Sequence, residues 1–461
     1  MTETVAGPPR SDQQTPWSGL RSVGRTVGTL GLLTAALPLD LALTAAAAAR
    51  AELRRDRVRP VPPTTSASTN RPLTIMVSGG KMTKSLHLAR AFHAAGHRVV
   101  MVETARYRLG AHRYSRAVDA FHVVPAPSHP DYADALARIV RREQVDVYVP
   151  VCSPVSSRYD AESSKLLPDH CEVFHVDVDV IDDLDDKYRF ATRAAALGLD
   201  VPETHLITDP AQVLDFDFPD DGRTWILKSI PYDPVHRLDL TRLPRPTQAE
   251  TAAHVASLPI GPDRPWILQE FVEGQEFCAH ATVRDGTIRV WACCASSPFQ
   301  VNYEMVDEPD IQAWVEQFVS DLDLTGQVSF DFIRTETGRT VAIECNPRTH
   351  SAITMFDDLP ALAAAYLDPG SGLLVPHASS RPTYWLHHEL WRMLTRPSRI
   401  PERLGILRRG RDAVLRGDDP LPFLLLPHLQ VPALLVDALR HGREWVRIDF
   451  NIGKLVEVGG D

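Results

Sequence analysis

The stretch TGQVSFDFIRTETGRTVAIECNPRTHS, residues 325–351, predicts two antiparallel strands joined by a tight turn. In each half, apolar residues alternate with polar ones as in a half-buried strand, and a Thr-Gly dipeptide supplies the turn. A hairpin closed at that dipeptide places Asp331 opposite or diagonal to Glu344. Asn346 then lies two residues further along the same face. We therefore expect two carboxylates and an amide to converge on one side of the hairpin.

The polar face of this hairpin has two interpretations. Facing carboxylates repel each other unless a cation lies between them, and an all-oxygen set suits Mg²⁺, which completes its shell with water and phosphate. Arg348 stands just beyond and has the charge to bind a phosphate. In the alternative interpretation, the hairpin is an ordinary amphipathic one whose polar face is solvated.

Composition limits the class of protein. A chain of 461 residues is too long for one core and predicts two or three domains. A hydrophobic content of 44% and a charged content of 23% are typical of a soluble globular protein. A net charge of -10 argues against nucleic acid as a partner, because that partner requires a basic surface. The six cysteines form no CxxC pair, so we expect reduced, buried thiols.

The N-terminal region divides into three segments. Residues 1–26 are rich in Pro, Ser, Thr and Gly and predict a disordered tail. Residues 27–49 are apolar but contain Asp40, which is costly inside a bilayer; a membrane anchor or interfacial helix, a cleaved signal and a soluble Ala-rich helix are the alternatives. Residues 50–72 are rich in Arg and Pro and predict a linker. The arginines predict a cytoplasmic protein, attached to the inner face of the membrane if the apolar segment inserts.

Residues 73–180 predict a Rossmann-like parallel sheet. LTIMVSGG is a buried strand ending in a Gly turn, a helix follows up to Gly96, and HRVVMVET and VDVYVPV are further strands. The turn SGGKMTKS is not a Walker loop, because Ser78 and Thr83 stand where Gly is required. A ligand site at the carboxyl end of the sheet and a purely structural turn are both open. The residues that such a site would use are Gly79, Gly80, Lys81 and Ser153.

Two lysines and an acidic segment follow. Lys187 stands near the start of a helix among many Asp residues, where a surface ion pair is the ordinary interpretation. Lys228 ends the apolar strand WILKS and must reach water, an acid or a ligand anion. In QEFVEGQE, the strand end at Glu270 can offer backbone groups to a purine and Glu276 a carboxylate to a ribose, unless the segment is a solvated edge.

Residues 371–461 predict a helical C-terminal extension. Its apolar run LPFLLLPHLQVPALLVDALRHG is split by Pro427 and Pro432. This split predicts a packed helical hairpin or a membrane-facing surface rather than a spanning helix.

The order of Lys187, Lys228, QEFVEGQE, Asp331 and ECNPR resembles the ATP-grasp superfamily. The resemblance covers residues 73–367. It implies an α/β and α+β fold, in which a Rossmann-like pre-ATP-grasp sheet precedes a two-lobed ATP-grasp domain over residues 181–370. It also implies ATP and Mg²⁺ (or Mn²⁺) as cofactors.

The resemblance assigns roles to individual residues. Lys187 and Lys228 are expected to hold the ATP phosphates. The adenine is expected to meet Glu270, Phe271 and Val272, the ribose Glu276, and the metal ion Asp331, Glu344 and Asn346.

Two departures from the superfamily pattern concern the mechanism. The segment after Lys228, SIPYDPVHRLDLTRLPRP, contains no Gly-rich loop, so His236 and Arg237 are candidates to cover the phosphates. Ser329 stands where many members place an Arg before the metal-binding Asp. Arg348 is then the candidate for holding the reaction intermediate.

Further stretches resemble the ATP-grasp ligases of mycosporine-like amino-acid biosynthesis. They are SGGKMTKSLHLARAFHAAGHRV, VDVYVPVCSPV, NPRTHSAITMF and WVRIDFNIGKLVEVGGD. This resemblance implies that glycine is joined to 4-deoxygadusol through a phosphorylated enolate, with ADP and phosphate released. Arg348 and His350 are the expected catalytic residues, and His350 would take the proton of the amine. A homodimer is one option for the assembly.

Two other classes of function stay open. A different carboxylate-amine ligase would keep the ATP site and act through an acyl phosphate. A non-catalytic nucleotide-binding module would be expected to have a broken metal set, whereas Asp331, Glu344 and Asn346 are intact.

Overall fold

The computed structural model describes residues 16–55, 71–231, 233, 235–236, 239–296 and 302–457, and for residues 16–21 and 54–55 the backbone alone. The described chain begins with a long helix, α1 (Pro16–Arg55). The disorder expected up to residue 26 is therefore wrong from Pro16 onward, because the helix starts there. The expected linker also begins later than residue 50, since α1 continues to Arg55. The remainder of both segments, residues 1–15 and 56–70, lies outside the described residues.

A parallel sheet follows α1, as the sequence predicts. Its elements in chain order, with the helices that accompany them, are β1 (Thr74–Val77), α2 (Thr83–Ala94), β2 (Arg98–Thr104), β3 (Ala120–Val124), α3 (Tyr132–Glu143), β4 (Val147–Val149), α4 (Ser157–Ser163) and β5 (Glu172–Val173). The strand order β3-β2-β1-β4-β5 is parallel throughout. The chain therefore reverses direction across the sheet between β1 and β4, and ligands of open α/β sheets bind in the crevice at such a point.

The next unit is a lobe built on a small antiparallel sheet. Its elements are α5 (Val178–Asp185), α6 (Lys187–Ala196), β6 (Thr204–Ile207), α7 (Pro210–Leu214), β7 (Trp225–Ser229), α8 (Gln248–Ala256) and β8 (Trp266–Glu270). The strands run in the order β6-β8-β7. Trp225 and Trp266 are fully buried and form the core of this lobe. Lys187 is the first residue of α6, whose N-cap is Asp186, so the helix start predicted near Lys187 is confirmed.

A second lobe carries the hairpin. Its elements are β9 (Gln275–Arg284), β10 (Thr287–Ala295), β11 (Asn302–Tyr303), α9 (Pro309–Asp321), β12 (Gly326–Arg334), β13 (Thr340–Asn346) and α10 (Leu359–Leu367). The main sheet has the order β10-β9-β12-β13. Asp331 lies directly opposite Glu344, and the turn closes at Gly338, which has a positive φ of 87°. The predicted hairpin and its register are therefore confirmed, and the mixed α/β and α+β fold class is confirmed with them.

The C-terminal region contains strands as well as helices. Its elements are β14 (Thr383–Tyr384), α11 (Leu386–Thr395), α12 (Ile400–Arg409), β15 (Arg411–Asp412), α13 (Leu421–Leu425), α14 (Val431–Arg440), β16 (Trp445–Asp449) and β17 (Lys454–Glu457). The predicted helical extension therefore contains its helices but also short strands, since β14 pairs with β11 and β15, and β16 pairs with β17. The helical hairpin is wrong, because a π-helical turn at Leu426–Gln430 joins α13 to α14 in one run.

Helix α1 packs along this C-terminal region. At one end, Arg25 Nη1 donates to the carbonyl oxygen of Trp445 at 2.8 Å, and Trp445 Nε1 donates to Thr26 Oγ1 at 2.9 Å. Towards the other end, a Cβ on Gly417 would lie only 2.2 Å from the carbonyl oxygen of Ala47. The contacts thus extend over about 30 Å of helix at 1.5 Å per residue.

Asp40, in the middle of α1, is completely buried and paired. His387 Nε2 and His428 Nε2 lie 3.0 and 2.8 Å from Asp40 Oδ2. Two helical segments, Ser22–Leu53 and Leu421–Arg440, are long and apolar enough to cross a membrane by length and composition. A membrane-spanning position of α1 would require the Asp40 contacts to break.

Candidate active site

The strand register places a set of polar side chains on one face of the second lobe. In antiparallel sheets, directly opposed residues point to the same side and alternate residues share a face. Asp331 is opposed by Glu344 on β13 and by Cys278 on β9, and Ser329 is opposed by Asn346 and His280. The residues that share this face are Glu276, Cys278, His280, Ser329, Asp331, Glu344 and Asn346. The opposite face, with Val328, Phe330 and Phe332, is buried in the lobe's core.

Asp331, Glu344 and Asn346 converge as the sequence predicts. Asn346 Nδ2 donates to Asp331 Oδ2 at 3.3 Å, so the amide turns its oxygen away from that carboxylate. Burial, together with the charge of Glu344, raises the pKa of Asp331 to about 7. This carboxylate therefore lacks sufficient positive charge nearby, which a divalent cation would supply.

The donor set of this face fits Mg²⁺ or Mn²⁺. Two carboxylates and an amide oxygen are hard ligands, and Mg²⁺ is usually held by one or two carboxylates plus substrate phosphates. No group of three or more His, Cys, Asp or Glu side chains suited to a metal occurs in the described part of the chain. A metal ion at Asp331, Glu344 and Asn346 would therefore need water or substrate oxygens to complete its coordination.

Arg348 lies beside the three oxygen ligands. Its Nη2 donates to Asn346 Oδ1, and its Nη1 lies 3.5 Å from Asp185 Oδ1 on α5. The contact between the Arg348 guanidinium and the half-exposed Asp185 is long and weak. The guanidinium can therefore also bind an anion. Arg348 therefore contacts both the hairpin and α5.

Lys228 brings positive charge from the other lobe. It is partly buried, and its Nζ donates to Gln269 Oε1 at 3.0 Å. Burial lowers the pKa of Lys228, and the nearby Lys187 lowers it further, while Glu344, Asp331 and Glu276 oppose the shift. Lys228 and the carboxylates of the second lobe thus act on one another electrostatically.

The segment that joins the two lobes presents backbone rather than side-chain groups. Both carboxylate oxygens of Glu270 are engaged, by Arg339 Nη1 at 3.0 Å and by the amide of Glu203 at 3.2 Å. The amides of Glu270 and Phe271 donate to carbonyl oxygens at 2.8 and 2.7 Å. No backbone acceptor for the Val272 amide is found among the described residues.

Glu276 and the loop after Lys228 are the remaining residues that the sequence assigns to the nucleotide. Glu276 is exposed at the start of β9, on the same face as Asp331. His236 lies 2.7 Å from Asp233 Oδ2 and packs edge-on against Trp266, so it is held inside the loop. Arg237, the second residue expected to cover the phosphates, lies outside the described residues.

The loop after Asn346 contacts the parallel-sheet unit. Lys84, on α2, is buried, and its Nζ lies 2.5 Å from the carbonyl oxygen of Thr349. Burial, together with the charge of Arg348, lowers the pKa of Lys84 to about 7. Ser351 Oγ accepts from Asn451 Nδ2 at 2.8 Å, which ties the C-terminal region to the same loop.

His350 does not point freely towards the metal ligands. Its Nδ1 accepts from the amide of Ala352 at 3.3 Å, and its ring packs edge-on against Tyr303. Its own amide lies 3.4 Å from His280 Nδ1. One ring nitrogen is thus occupied in a local cap, and the His350 side chain also forms a hydrogen bond with Cys278.

Sequence reasoning missed three side chains of this region. They are Lys84, Gln269 and Asp185, whose partners Thr349, Lys228 and Arg348 are distant in the chain. The signal for Lys84 is its place in SGGKMTKS, a segment in which the sequence analysis names Lys81 as the candidate lysine. Lys81 Nζ lies over the ring of Tyr107 at 4.2 Å.

A cavity of about 90 Å³ lies at the reversal point of the parallel sheet. Ser78, at the end of β1, accepts from the amide of Val151, after β4, at 3.0 Å. Gly79 is required there, because a Cβ would lie 2.3 Å from the carbonyl oxygen of Val151. Lys81 and Ser153 also line this cavity. Three of the four residues expected for a ligand site in this sheet therefore share one small cavity.

Comparison with known proteins supports the fold. The chain has the ATP-grasp fold and is similar to the ADP complex of N5-carboxyaminoimidazole ribonucleotide synthetase, with a TM-score of 0.52 and 15% identity over 72% of this chain and 86% of that one. It is also similar to N5-carboxyaminoimidazole synthetase from Staphylococcus aureus, with a TM-score of 0.50 and 12% identity over 67% of this chain and 80% of that one. Neither a protein family nor a curated protein matches the sequence.

Proposed function

We propose that this protein is an ATP-dependent C–N ligase that joins glycine to 4-deoxygadusol, with release of ADP and phosphate. The observation that carries the proposal is the pairing of Asp331 with Glu344 on one polar face, whose charges act on Lys228 of the first lobe. Phosphoryl transfer depends mainly on positioning and charge neutralisation, and these residues supply both. The ATP-grasp fold agrees with this chemistry.

In the proposed site, each residue has one task. Lys187 and Lys228 hold the phosphates, the Val272 amide meets the adenine, and Glu276 takes the ribose. Asp331, Glu344 and Asn346 hold Mg²⁺ or Mn²⁺, which supplies the charge that neutralises the transferred phosphoryl group.

The acceptor is proposed to lie beyond the metal ligands, next to Arg348. The enolate oxygen of the acceptor takes the phosphoryl group from ATP, which leaves ADP. The amine of glycine then adds to the carbon that bears this oxygen, and phosphate leaves from the same carbon. Arg348 holds the phosphorylated oxygen, and His350 takes the proton that the amine loses. The small cavity beside Lys81 and Ser153 is our candidate for the amino acid, since its size suits a molecule like glycine.

The choice of acceptor rests on the resemblance of SGGKMTKS, NPRTHSAITMF and the C-terminal WVRIDFNIGKLVEVGG to the mycosporine-like ligases. The C-terminal part of this resemblance has a place at the site, since Asn451 binds Ser351 and its carbonyl oxygen accepts from the amide of Thr83 at 2.9 Å. A second candidate is another carboxylate-amine ligase acting through an acyl phosphate, which the same metal and lysine set would serve. A nucleotide-binding module without activity is disfavoured by the intact metal set.

We further propose a cytoplasmic location, with the protein attached to the inner face of the membrane through α1 as an interfacial helix. The exposed apolar side chains of α1, among them Val27 and Leu32, motivate this placement. A homodimer stays the proposed assembly, and its test is the mass of the purified protein in solution.

The test is a substrate panel. Purified protein with ATP, Mg²⁺ and 4-deoxygadusol is given each amino acid in turn, and ADP and product absorbance are followed. Glycine-dependent ADP release with a new absorbing product supports the proposal. ADP release with carboxylate acceptors in place of 4-deoxygadusol would select the second candidate, and no ADP with any acceptor would overturn the ligase.

A further inference from the structure

A groove of about 620 Å³ lies between residues 105–109, which follow β2, and helix α14. It is separate from the polar face of the second lobe and from the small cavity of the parallel sheet, and it shares no residue with either. Its volume is in the range of ligand-binding clefts. We propose that this groove binds the headgroup of an acidic phospholipid and holds the protein on an anionic membrane surface.

Arginines dominate the charge of the groove. Four of them line it, Arg106, Arg108, Arg440 and Arg443, and Asp437 is the one carboxylate in the lining. Arg443 pairs with Asp437, and Arg106 pairs with a glutamate of β17.

Two arginines of the groove are free to bind an anion. Arg108 and Arg440 are exposed, and neither has an ion-pair partner within the described residues. This local excess of positive charge is opposite in sign to the net charge of the chain, which is -10. It marks a surface complementary to an anion.

The floor of the groove is apolar and helical. Leu429, Pro432, Ala433 and Val436 line it at a spacing of three, four and seven residues, so they form one face of the π-turn and α14. Arg440 extends the same face one turn further. An apolar strip that ends in arginines is typical of helices that lie in a membrane interface.

The lining disfavours a nucleotide as the occupant. Phe, Tyr and Trp are absent from it, so it has no large ring on which a base could stack. Leu109, which is 37% exposed, lies on the side of the groove opposite α14 and provides a second apolar wall. Apolar walls with free guanidinium groups match the glycerol and phosphate region of a lipid better than a soluble polyanion.

The groove is continuous with α1. His428 lines the groove and also holds Asp40 of α1 at 2.8 Å. The outward side chains of α1 are apolar, with Val23, Val27 and Leu32 between 47% and 57% exposed. The groove and α1 are therefore neighbours at Asp40, and α1 carries exposed apolar side chains that a membrane surface can contact. This inference does not depend on the ligase reaction.

The test is co-sedimentation of the full chain with vesicles. We expect binding to phosphatidylcholine vesicles that contain 30% phosphatidylglycerol, weaker binding to pure phosphatidylcholine vesicles, and a decrease as salt is raised. Arg108→Gln combined with Arg440→Gln should lower the partition coefficient about 30-fold, at about fivefold for each arginine near an anionic surface. ATP-dependent activity in the absence of vesicles should not change.

The matched control is Arg141→Gln with Arg142→Gln, two exposed arginines at the end of α3. This variant should bind vesicles as the unmodified protein does. Equal loss in both variants would mean a general charge effect and would overturn the groove. No binding of the unmodified protein to anionic vesicles, equal binding to neutral ones, or binding of soluble glycerol phosphate without vesicle binding would each overturn the membrane assignment.

Discussion

Replacing Asp331 by Asn is expected to stabilise the metal-free protein while it abolishes the metal site. In the structure, Asp331 faces Glu344, and its pKa is raised from 3.8 to about 7. Each pKa unit is worth about 1.4 kcal/mol, so the ionised pair costs the fold roughly 4 kcal/mol at most. Coulomb repulsion at about 5 Å and an effective dielectric of about 20 gives about 3 kcal/mol. We expect a gain of about 2–4 kcal/mol, because the amide keeps the hydrogen bond of Asn346 without the charge.

The gain should depend on pH in a defined direction. A carboxyl with a raised pKa in the folded state destabilises the protein as the pH rises from 3.8 to about 7, and this penalty is then constant. Asp331→Asn should therefore differ little from the unmodified protein at pH 4 and most at pH 8. The assay is the apparent melting temperature in buffer containing EDTA, with an upward shift of several degrees expected at pH 8.

Ligand addition should reduce the difference between the two proteins. Mg²⁺ with ADP should raise the melting temperature of the unmodified protein, because binding at a hundredfold excess over Kd raises the free energy of unfolding by about 2.7 kcal/mol. The melting temperature of Asp331→Asn should not change. Glu336→Gln is the matched control, since Glu336 lies exposed in the turn of the same hairpin. A melting temperature of Asp331→Asn that is unchanged or lower at pH 8 would refute the reasoning.

Three further perturbations test other contacts. Gln269→Met removes the oxygen that accepts the hydrogen bond of Lys228 and should raise KM for ATP about tenfold, with a smaller effect on kcat, as measured by ADP release. An equal fall of kcat and kcat/KM, with KM unchanged, would contradict this. Asp40→Asn should cost about 3 kcal/mol near neutral pH, because the two histidines hold the pKa of Asp40 below 3.8, and the loss should vanish in acid below that value; urea unfolding followed at several pH values decides it. Gly453→Ala should destabilise the contact between the C-terminal turn and the SGGK turn by at least about 1 kcal/mol, since a Cβ would lie 2.2 Å from the carbonyl oxygen of Lys81 and φ is positive, whereas Gly222→Ala, positive in φ with open space around it, should cost less in the same melting assay.

The sequence was sufficient for features that depend on near neighbours. Strict alternation in two short strands placed Asp331 against Glu344, and the turn at Gly338 fixed the register. The parallel sheet followed from apolar strands, a Gly stop and helical spacing. One detail escaped: a bulge after Asp331 shifts Ile343 out of the alternation, and nothing in the pattern announces it.

Features that depend on distant partners were not predictable. The burial of Lys84 follows from a carbonyl 265 residues away, and the partners of Asp40 stand 347 and 388 residues further along the chain. Asp40 therefore reads as an interruption of an apolar segment, whereas in the fold it holds two histidines. His350 shows the reverse case, because a residue chosen for its closeness to the metal ligands spends one nitrogen on a local cap.

The contacts of α1 also determine when the protein can finish folding. Arg25 meets Trp445 across 420 residues of chain. At about 5–20 residues per second, synthesis of the intervening chain takes roughly 20–80 s. During that time α1 is an apolar helix with an unneutralised aspartate and no docking surface. Yield in a heterologous host should then respond to translation rate and to chaperones that bind nascent apolar helices, more than to the stability of the finished fold.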